Sequence, residues 1–385
     1  MTQPRNFGFA EDETLLRDST RRFLSENAGG EALRRTVARD HRAAYGSAVA
    51  PAAWDEALWR QMVGLGWTSL AVPEAAGGAG MKMVAVAALA EEAGRVALVS
   101  PLITTLITTC VLRAADGFGA TQALARVVDG TAMALATTDA DGSWEPENTS
   151  VSATLVANGG AALGGTAAFV QDARKVGAFV VAARAPGGVG LYLVDADAPG
   201  VTIEPDHIVD LTRDQARVAF ADVRVDAERV VAAPGRGDSA LRQAMPALLT
   251  IVAADQCGAA EWQLETTVEY ARIRTQFDHP LGFFQAVKHP IVNMMLAIDQ
   301  ARSLVYNAAC AIDSEPEQAE RAARMAKASA ADMAAFCSGR SLQLHGGIGF
   351  TWECDIHLWF KRQLHNQMLY GDAGYQRGKL ADLMG

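Results

Sequence analysis

The sequence is poor in cysteine, and it has no concentrated basic run and no long uncharged apolar stretch. Its five cysteines, Cys110, Cys257, Cys310, Cys337 and Cys354, are odd in number and widely separated. Disulfide frameworks and zinc sites instead use paired or closely spaced cysteines. We therefore expect free thiols in a reducing cytosol and no metal site.

The missing basic and apolar runs exclude further classes of protein. The net charge is −10, and without a basic patch a partner such as DNA or RNA is not expected. No stretch reaches the roughly 18 apolar residues that a membrane-spanning helix needs. The first residues, MTQPRNFGFAEDE, lack the basic and apolar segments of a secretory signal. These features predict a cytoplasmic protein that contacts neither nucleic acid nor membrane.

Length and periodicity predict an α+β protein of three domains. Apolar residues recur at helix spacing up to residue 130, and an alanine-rich helix runs from Met83 to Ala93 and ends at Gly94. Short β-rich runs such as VGAFVVAAR and VGLYLVDA follow and indicate an antiparallel sheet or barrel. The remainder is helical again. We predict an N-terminal helical domain (1–130), a middle antiparallel β-barrel domain (131–233) and a C-terminal four-helix bundle (234–385).

Two motifs near the C-terminus carry a family resemblance. The chain reads YARIRTQFDHPLGFFQAVKH from Tyr270 and QLHGGIGFTWE from Gln343. In this order the segments resemble the two C-terminal signatures of acyl-CoA dehydrogenases, and LWRQMVGLGWTSLAVPE and DLTRDQARVAF extend the resemblance over nearly the whole chain. The resemblance implies an oligomeric, FAD-dependent oxidoreductase. Its implied substrate is an acyl-CoA thioester, and its implied electron acceptor is an electron-transfer flavoprotein or a similar protein.

The same motifs contain residue types that suit a dinucleotide. A pyrophosphate needs a fixed cation, amide donors and glycines that allow close backbone approach. The resemblance implies that five residues reach across a subunit interface to the ADP half of a neighbour's FAD, namely Arg274, Phe277, Gln343, Gly346 and Gly347. The alternatives are that Arg274 is an ordinary surface residue, that Phe277 is core and that the glycines only cap a helix.

The part of the family pattern that holds the flavin ring is only half kept. The aligned stretch ALATTDADGSW keeps Thr137, Gly142 and Ser143 but loses an aromatic residue, a Glu-Pro-Gly turn and a final aspartate. The family's flavin-covering tryptophan and a nearby threonine align with Phe169 and Gln171. We expect Thr137, Gly142 and Ser143 to contact the cofactor, unless the two hydroxyls are ordinary loop groups.

The carboxylate that should remove the substrate α-proton is missing from its expected places. One family branch has it directly after a tyrosine, where this chain has Gly371, and another has it at the position of Leu248. Asp372 and Asp255 are the candidate replacements. Asp372 is alternatively a helix cap, and Asp255, which lies in an apolar run, is alternatively paired to a neighbouring subunit.

Three hypotheses therefore remain open from the sequence. The chain is a subunit of an α₂β₂ acyl-CoA dehydrogenase, of the kind that degrades steroid side chains, and completes the FAD site of a homologous partner that carries the base. Alternatively, it is a self-sufficient enzyme that uses Asp372 or Asp255. The third hypothesis is a scaffold without flavin.

Overall fold

The structure, a computed structural model, describes residues 9–38, 52–157 and 159–385. It confirms an α+β fold in which a helical, a β-sheet and a second helical domain follow one another. Parts of the predicted first domain, 1–8 and 39–51, lie outside the described residues. The exact domain limits stay a prediction, although the change from helix to strand falls between Val128 and Met133 and the return to helix between Ala232 and Gly237.

The first domain is built from helices around an apolar core. The described helices are α1 (Glu11–Asn27), α2 (Glu31–Ala38), α3 (Glu56–Gly64), α4 (Met83–Arg95), α5 (Leu102–Ala114) and α6 (Phe118–Val128). All residues of α4 from Met83 to Gly94 are buried, because this helix lies between the first domain and the C-terminal helices. Among the helices in the described ranges, none has the length and apolar character needed to cross a membrane.

The middle domain is one twisted sheet. Its strands are β1 (Met133–Ala136), β2 (Ser152–Leu155), β3 (Ala161–Gln171), β4 (Ala178–Ala185), β5 (Gly188–Asp195), β6 (Val201–Pro205), β7 (Gln215–Val225) and β8 (Val230–Ala232). The order is β6-β7-β3-β2-β4-β5-β8, with β1 also paired to β4. The antiparallel prediction holds for most pairs, but β1 and β2 both run parallel to β4. β1 follows α6 directly, and this entry from a helix leaves it without a hairpin partner.

The C-terminal domain is a bundle of long helices. It consists of α7 (Gly237–Ile273), the hairpin strands β9 (Thr275–Gln276) and β10 (His279–Pro280), α8 (Gln285–Ser314), α9 (Pro316–His345), α10 (Ile356–Met368) and α11 (Ala373–Met384). Helices α7, α8 and α9 pack against one another, and α10 and α11 pack on α9. The middle of α7 is buried on all sides because α4 and α5 cover the face that the bundle leaves free.

Two glycines allow α4 and α7 to cross in close contact. A Cβ at Gly258 would lie 1.7 Å from the carbonyl oxygen of Glu91, and one at Gly94 would lie 2.0 Å from that of Asp255. The sequence prediction that Gly94 ends its helix was wrong, since α4 continues through Arg95. Gly94 is required for helix packing and not for chain termination.

We predict that Gly258→Ala lowers the free energy of unfolding by about 3 kcal/mol or more, because the added methyl group forces α4 and α7 apart. Gly339→Ala in α9 is the matched control, since nothing lies within 4 Å of its added Cβ and alanine favours a helix by about 1 kcal/mol. Thermal and urea unfolding measure both variants. Equal stability of the two variants would contradict the packing argument.

Candidate functional site

The ends of α7 and α9 lie side by side and form an exposed surface. Tyr270 near the end of α7 stacks on His345 at the end of α9, with ring centroids 4.5 Å apart. The structure therefore brings Arg274, one turn beyond Tyr270, close to the Gln343–Gly347 segment. The side chains of Arg274 and Gln343 are exposed and make no hydrogen bond or ion pair within the described ranges. A cation and an amide are thus free to bind something outside the chain.

Phe277 projects from the hairpin between β9 and β10. Positive φ angles at Phe277 and Asp278, +52° and +60°, and the pairing of Gln276 with His279 give the two-residue turn preferred in hairpins. The ring is 85% exposed. The alternative that Phe277 belongs to the core was therefore wrong.

Gly346 and Gly347 follow α9 and are open to solvent. Gly346 has φ +62° and ψ −145°, a conformation that essentially requires glycine. A Cβ at either glycine would meet nothing within 4 Å. The glycines therefore end the helix and also leave the backbone accessible. His345 is different, since it is buried and its Nδ1 lies 2.8 Å from the Ser341 carbonyl oxygen, as a structural histidine does.

Thr137 and Ser143 lie elsewhere, in a cleft between the middle domain, α7 and the loop before α11. Both line a cavity of about 20 Å³ that also contacts Leu248 and Tyr370. A second cavity of about 20 Å³ is also lined by Tyr370, together with Thr137 and Gln171. The structure therefore separates the predicted cofactor residues into an exposed set at the ends of α7 and α9 and an enclosed set in the cleft.

No carboxylate lies at either position where the family places its base. Leu248 is apolar and buried, and Gly371 has no side chain. Asp372 is the N-cap of α11, where its Oδ1 accepts a hydrogen bond of 2.8 Å from the Tyr375 backbone N–H. The helix-cap alternative describes this geometry, and the catalytic role of Asp372 stays a prediction.

Asp255 is fully buried and bound on all sides by groups of its own chain. Arg362 donates two hydrogen bonds to its carboxylate, of 3.0 and 2.6 Å, and Arg213 and Asn366 donate one each, of 3.1 and 2.6 Å. Burial would raise the pKa of Asp255, but the charges of Arg362 and Arg213 outweigh it and hold the pKa below its usual value. A carboxylate with a lowered pKa and no free lone pair is a poor base, and its pairing partners belong to the same chain, not to a neighbouring subunit.

Glu145 is a carboxylate of the cleft that the sequence prediction missed. It accepts a hydrogen bond of 2.6 Å from the Tyr375 hydroxyl and forms ion pairs with Lys379 and Arg242. Burial acts to raise its pKa, but its hydrogen bonds to Lys379 and Tyr375 hold the pKa lower. Glu145 thus ties the cleft to α7 and α11. Within the described ranges, no group of His, Cys, Asp and Glu is arranged to hold a metal ion.

A helical, a β-sheet and a second helical domain around an interdomain cleft define the class of three-domain acyl-CoA oxidoreductases. Residues 10–133 match the family model of the acyl-CoA dehydrogenase N-terminal domain, and residues 237–385 match that of the C-terminal domain. The chain belongs to the acyl-CoA dehydrogenase family, whose members are oxidoreductases that act on a CH–CH bond of acyl-CoA.

Individual relatives extend over most of the chain. Acyl-CoA dehydrogenase IpdE2 of Mycobacterium tuberculosis is 32% identical over 91% of both chains. Among solved structures, a Tcur3481-Tcur3483 steroid ACAD variant is 30% identical, with a TM-score of 0.83 over 97% of this chain and 98% of that one. The ChsE4-ChsE5 complex of M. tuberculosis, 23% identical, has the same fold with a TM-score of 0.84 over 98% of both chains.

We predict different outcomes for Asp255→Asn and Asp372→Asn. Asp255→Asn leaves two buried arginines without their carboxylate and should destabilise the protein by about 3–5 kcal/mol. Asp372→Asn keeps a good N-cap. It should change neither the equilibrium constant of unfolding nor the acyl-CoA turnover of the assembled enzyme by more than about twofold. Unfolding and turnover assays measure both. A folded Asp372→Asn variant that has lost turnover would instead identify the base.

Acid should destabilise the cleft through His365. Its Nε2 lies 2.7 Å from Gln171 Oε1, and burial lowers its pKa to about 4. Between pH 6.5 and 4 the unfolded chain therefore binds a proton that the folded chain does not. The free energy of unfolding consequently decreases as the pH is lowered through this range. This one group contributes about 3 kcal/mol to the fall. His365→Gln should show a correspondingly flatter pH profile of unfolding than the wild type, and identical profiles would disprove the prediction.

Proposed function

We propose that this chain is a subunit of a heteromeric acyl-CoA dehydrogenase and that it completes the FAD site of a homologous partner. One observation carries the proposal. The groups that suit the ADP half of FAD are exposed and free, whereas both positions for the base lack a carboxylate. A group that acts on another chain must be at the surface, and a group that acts on its own substrate must line the cleft.

The exposed set fits the ADP half of FAD. The Arg274 guanidinium supplies a charge-assisted donor for a phosphate oxygen. Gln343 supplies amide donors, and Gly346 and Gly347 let backbone N–H groups approach. Phe277 adds an exposed ring that can pack on the dinucleotide or its protein surroundings. FAD itself supplies the hydride acceptor when it is bound, and this chain binds and orients its ADP half.

Further exposed apolar residues indicate that this surface is covered by another chain. Ile273, Phe283 and Phe350 are all more than half exposed and flank the same segments. Buried aromatic and aliphatic anchors are typical of stable subunit interfaces. The structures named as a Tcur3481-Tcur3483 steroid ACAD and as a ChsE4-ChsE5 complex support a heteromer. The former name supports a steroid-derived acyl-CoA as the substrate.

Arg274→Gln tests the proposal in the complex formed by co-expression with a homologous subunit that retains the glutamate. Loss of a charged hydrogen bond costs about 1.5–3 kcal/mol, so FAD should bind about 10- to 100-fold more weakly, while the complex still assembles. Flavin absorbance between 350 and 500 nm and equilibrium dialysis measure the loss.

Arg272→Gln is the matched control. Arg272 is exposed two residues away, but it is paired with Glu269 on its own helix, and its loss should leave FAD affinity within about twofold. The proposal is wrong if the chain expressed alone forms a fully flavinated homo-oligomer that turns over acyl-CoA. The proposal is equally contradicted if the Arg274→Gln complex assembles, binds FAD as tightly as the wild-type complex and is fully active.

A further inference from the structure

The cleft that holds Thr137 and Ser143 is almost completely filled by protein side chains. The two cavities that the described residues line there measure about 20 Å³ each, which is room for roughly one water molecule. Pockets for cofactors and other small ligands generally measure about 300–1,000 Å³. A three-ring isoalloxazine does not fit in this cleft as the chain arranges it.

Trp144 and Tyr370 are the side chains that fill the cleft. Both line each of the two cavities, their ring centroids are 5.0 Å apart, and both pack on the core. Trp144 stands where the family segment ends in an aspartate, so a bulky ring replaces a short polar side chain. The two rings are hereafter called the aromatic pair.

The backbone holds Tyr370 in this position. Tyr370 has φ +56°, a left-handed conformation that is sterically strained for a bulky residue. The neighbouring groups compensate for it. The ammonium group of buried Lys327 donates to the carbonyl oxygens of Gln367 and Gly371, at 3.0 and 3.1 Å, and Gln376 donates to that of Tyr370 itself. The strained position is therefore fixed by groups on α9, α10 and α11.

Several polar groups of the cleft already bind other groups of the protein. The Ser143 backbone N–H donates to Asp139 Oδ1 at 2.9 Å, and the Ser143 hydroxyl accepts from the Glu145 backbone N–H and from Asn148. Gln171 donates to Gln215 at 2.9 Å and lies 2.7 Å from His365. A flavin ring needs donors for its carbonyl oxygens and ring nitrogens. In this cleft the Ser143 backbone N–H and the Gln171 amide N–H groups are bound to the protein itself.

We propose that the aromatic pair excludes a flavin ring from this chain's own cleft. The exclusion rests on the cleft geometry alone. Its consequence for an assembly, one flavin ring for each pair of unlike chains, rests on the proposed function. The chain alone then has no redox-active centre, and Thr137, Gly142 and Ser143 are not cofactor contacts within it.

Lumiflavin, which is the flavin ring without ribityl phosphate or ADP, is the probe that tests the exclusion. It cannot use the surface around Arg274, so its binding is independent of the proposed function. Fluorescence titration of the wild-type chain should give no saturable binding. In Trp144→Gly/Tyr370→Gly the cleft is open, and lumiflavin should bind at least 10-fold more tightly than in the wild type.

Two further variants make every outcome decisive. Tyr370→Gly alone relieves the backbone strain, because glycine adopts positive φ freely, and it should fold and bind lumiflavin even if the double variant does not fold. Trp59→Ala is the control, since it removes a buried indole that contacts Trp54 outside the cleft and should gain no binding. Saturable 1:1 binding by the wild type, no gain in the folded Tyr370 variant, or an equal gain in the control would each overturn the proposal.

Discussion

The arrangement of the three domains depends on one buried ionic contact, that between Arg362 and Asp255. From α10, the Arg362 guanidinium reaches the Leu98 carbonyl oxygen of the first domain at 3.3 Å, the Thr212 hydroxyl of the middle domain at 3.1 Å, and Asp255 of the C-terminal domain. Both charged groups are fully buried. A buried charge is tolerated only when it is paired and fully hydrogen-bonded, so all three domains must be in place for Arg362 to make all of its hydrogen bonds.

The same contact explains why sequence reasoning located the domains but not the role of Asp255. Apolar periodicity and turn residues are local signals, and they correctly predicted helical, β-sheet and helical domains. The partners of Asp255 are 42 and 107 residues away in sequence, at Arg213 and Arg362. A carboxylate within an apolar helix indicates a special environment, but its spacing does not distinguish a base from an ion pair. The prediction that Gly94 ends its helix was wrong for a similar reason, since this glycine is required by the backbone of α7, which is distant in sequence.

The candidate site likewise has one part that local sequence predicts and another that depends on tertiary contacts. Motifs predicted the exposed groups at the ends of α7 and α9, because Arg274 and Gln343 are set by short segments whose geometry follows from a helix end and a two-residue turn. The family resemblance predicts the loss of an aspartate at Trp144, but the sequence does not reveal which residues the tryptophan ring contacts. Filling of the cleft depends on Trp144 and Tyr370 meeting across 226 residues, and on Lys327 fixing the backbone beside them.

Enclosed and exposed residues are under different physical constraints. This difference explains why the cleft departs from the family pattern while the exposed residues keep it. A cleft without a bound flavin ring or substrate must still be filled by side chains. An empty cavity large enough for such a ligand would destabilise the core by several kcal/mol. Large aromatic side chains at Trp144 and Tyr370 meet that need, since they line the cleft together with Arg213, Gln171 and Leu248. Exposed Arg274 and Phe277 satisfy no such need within the chain. Their presence on an open surface is therefore best explained by a binding partner.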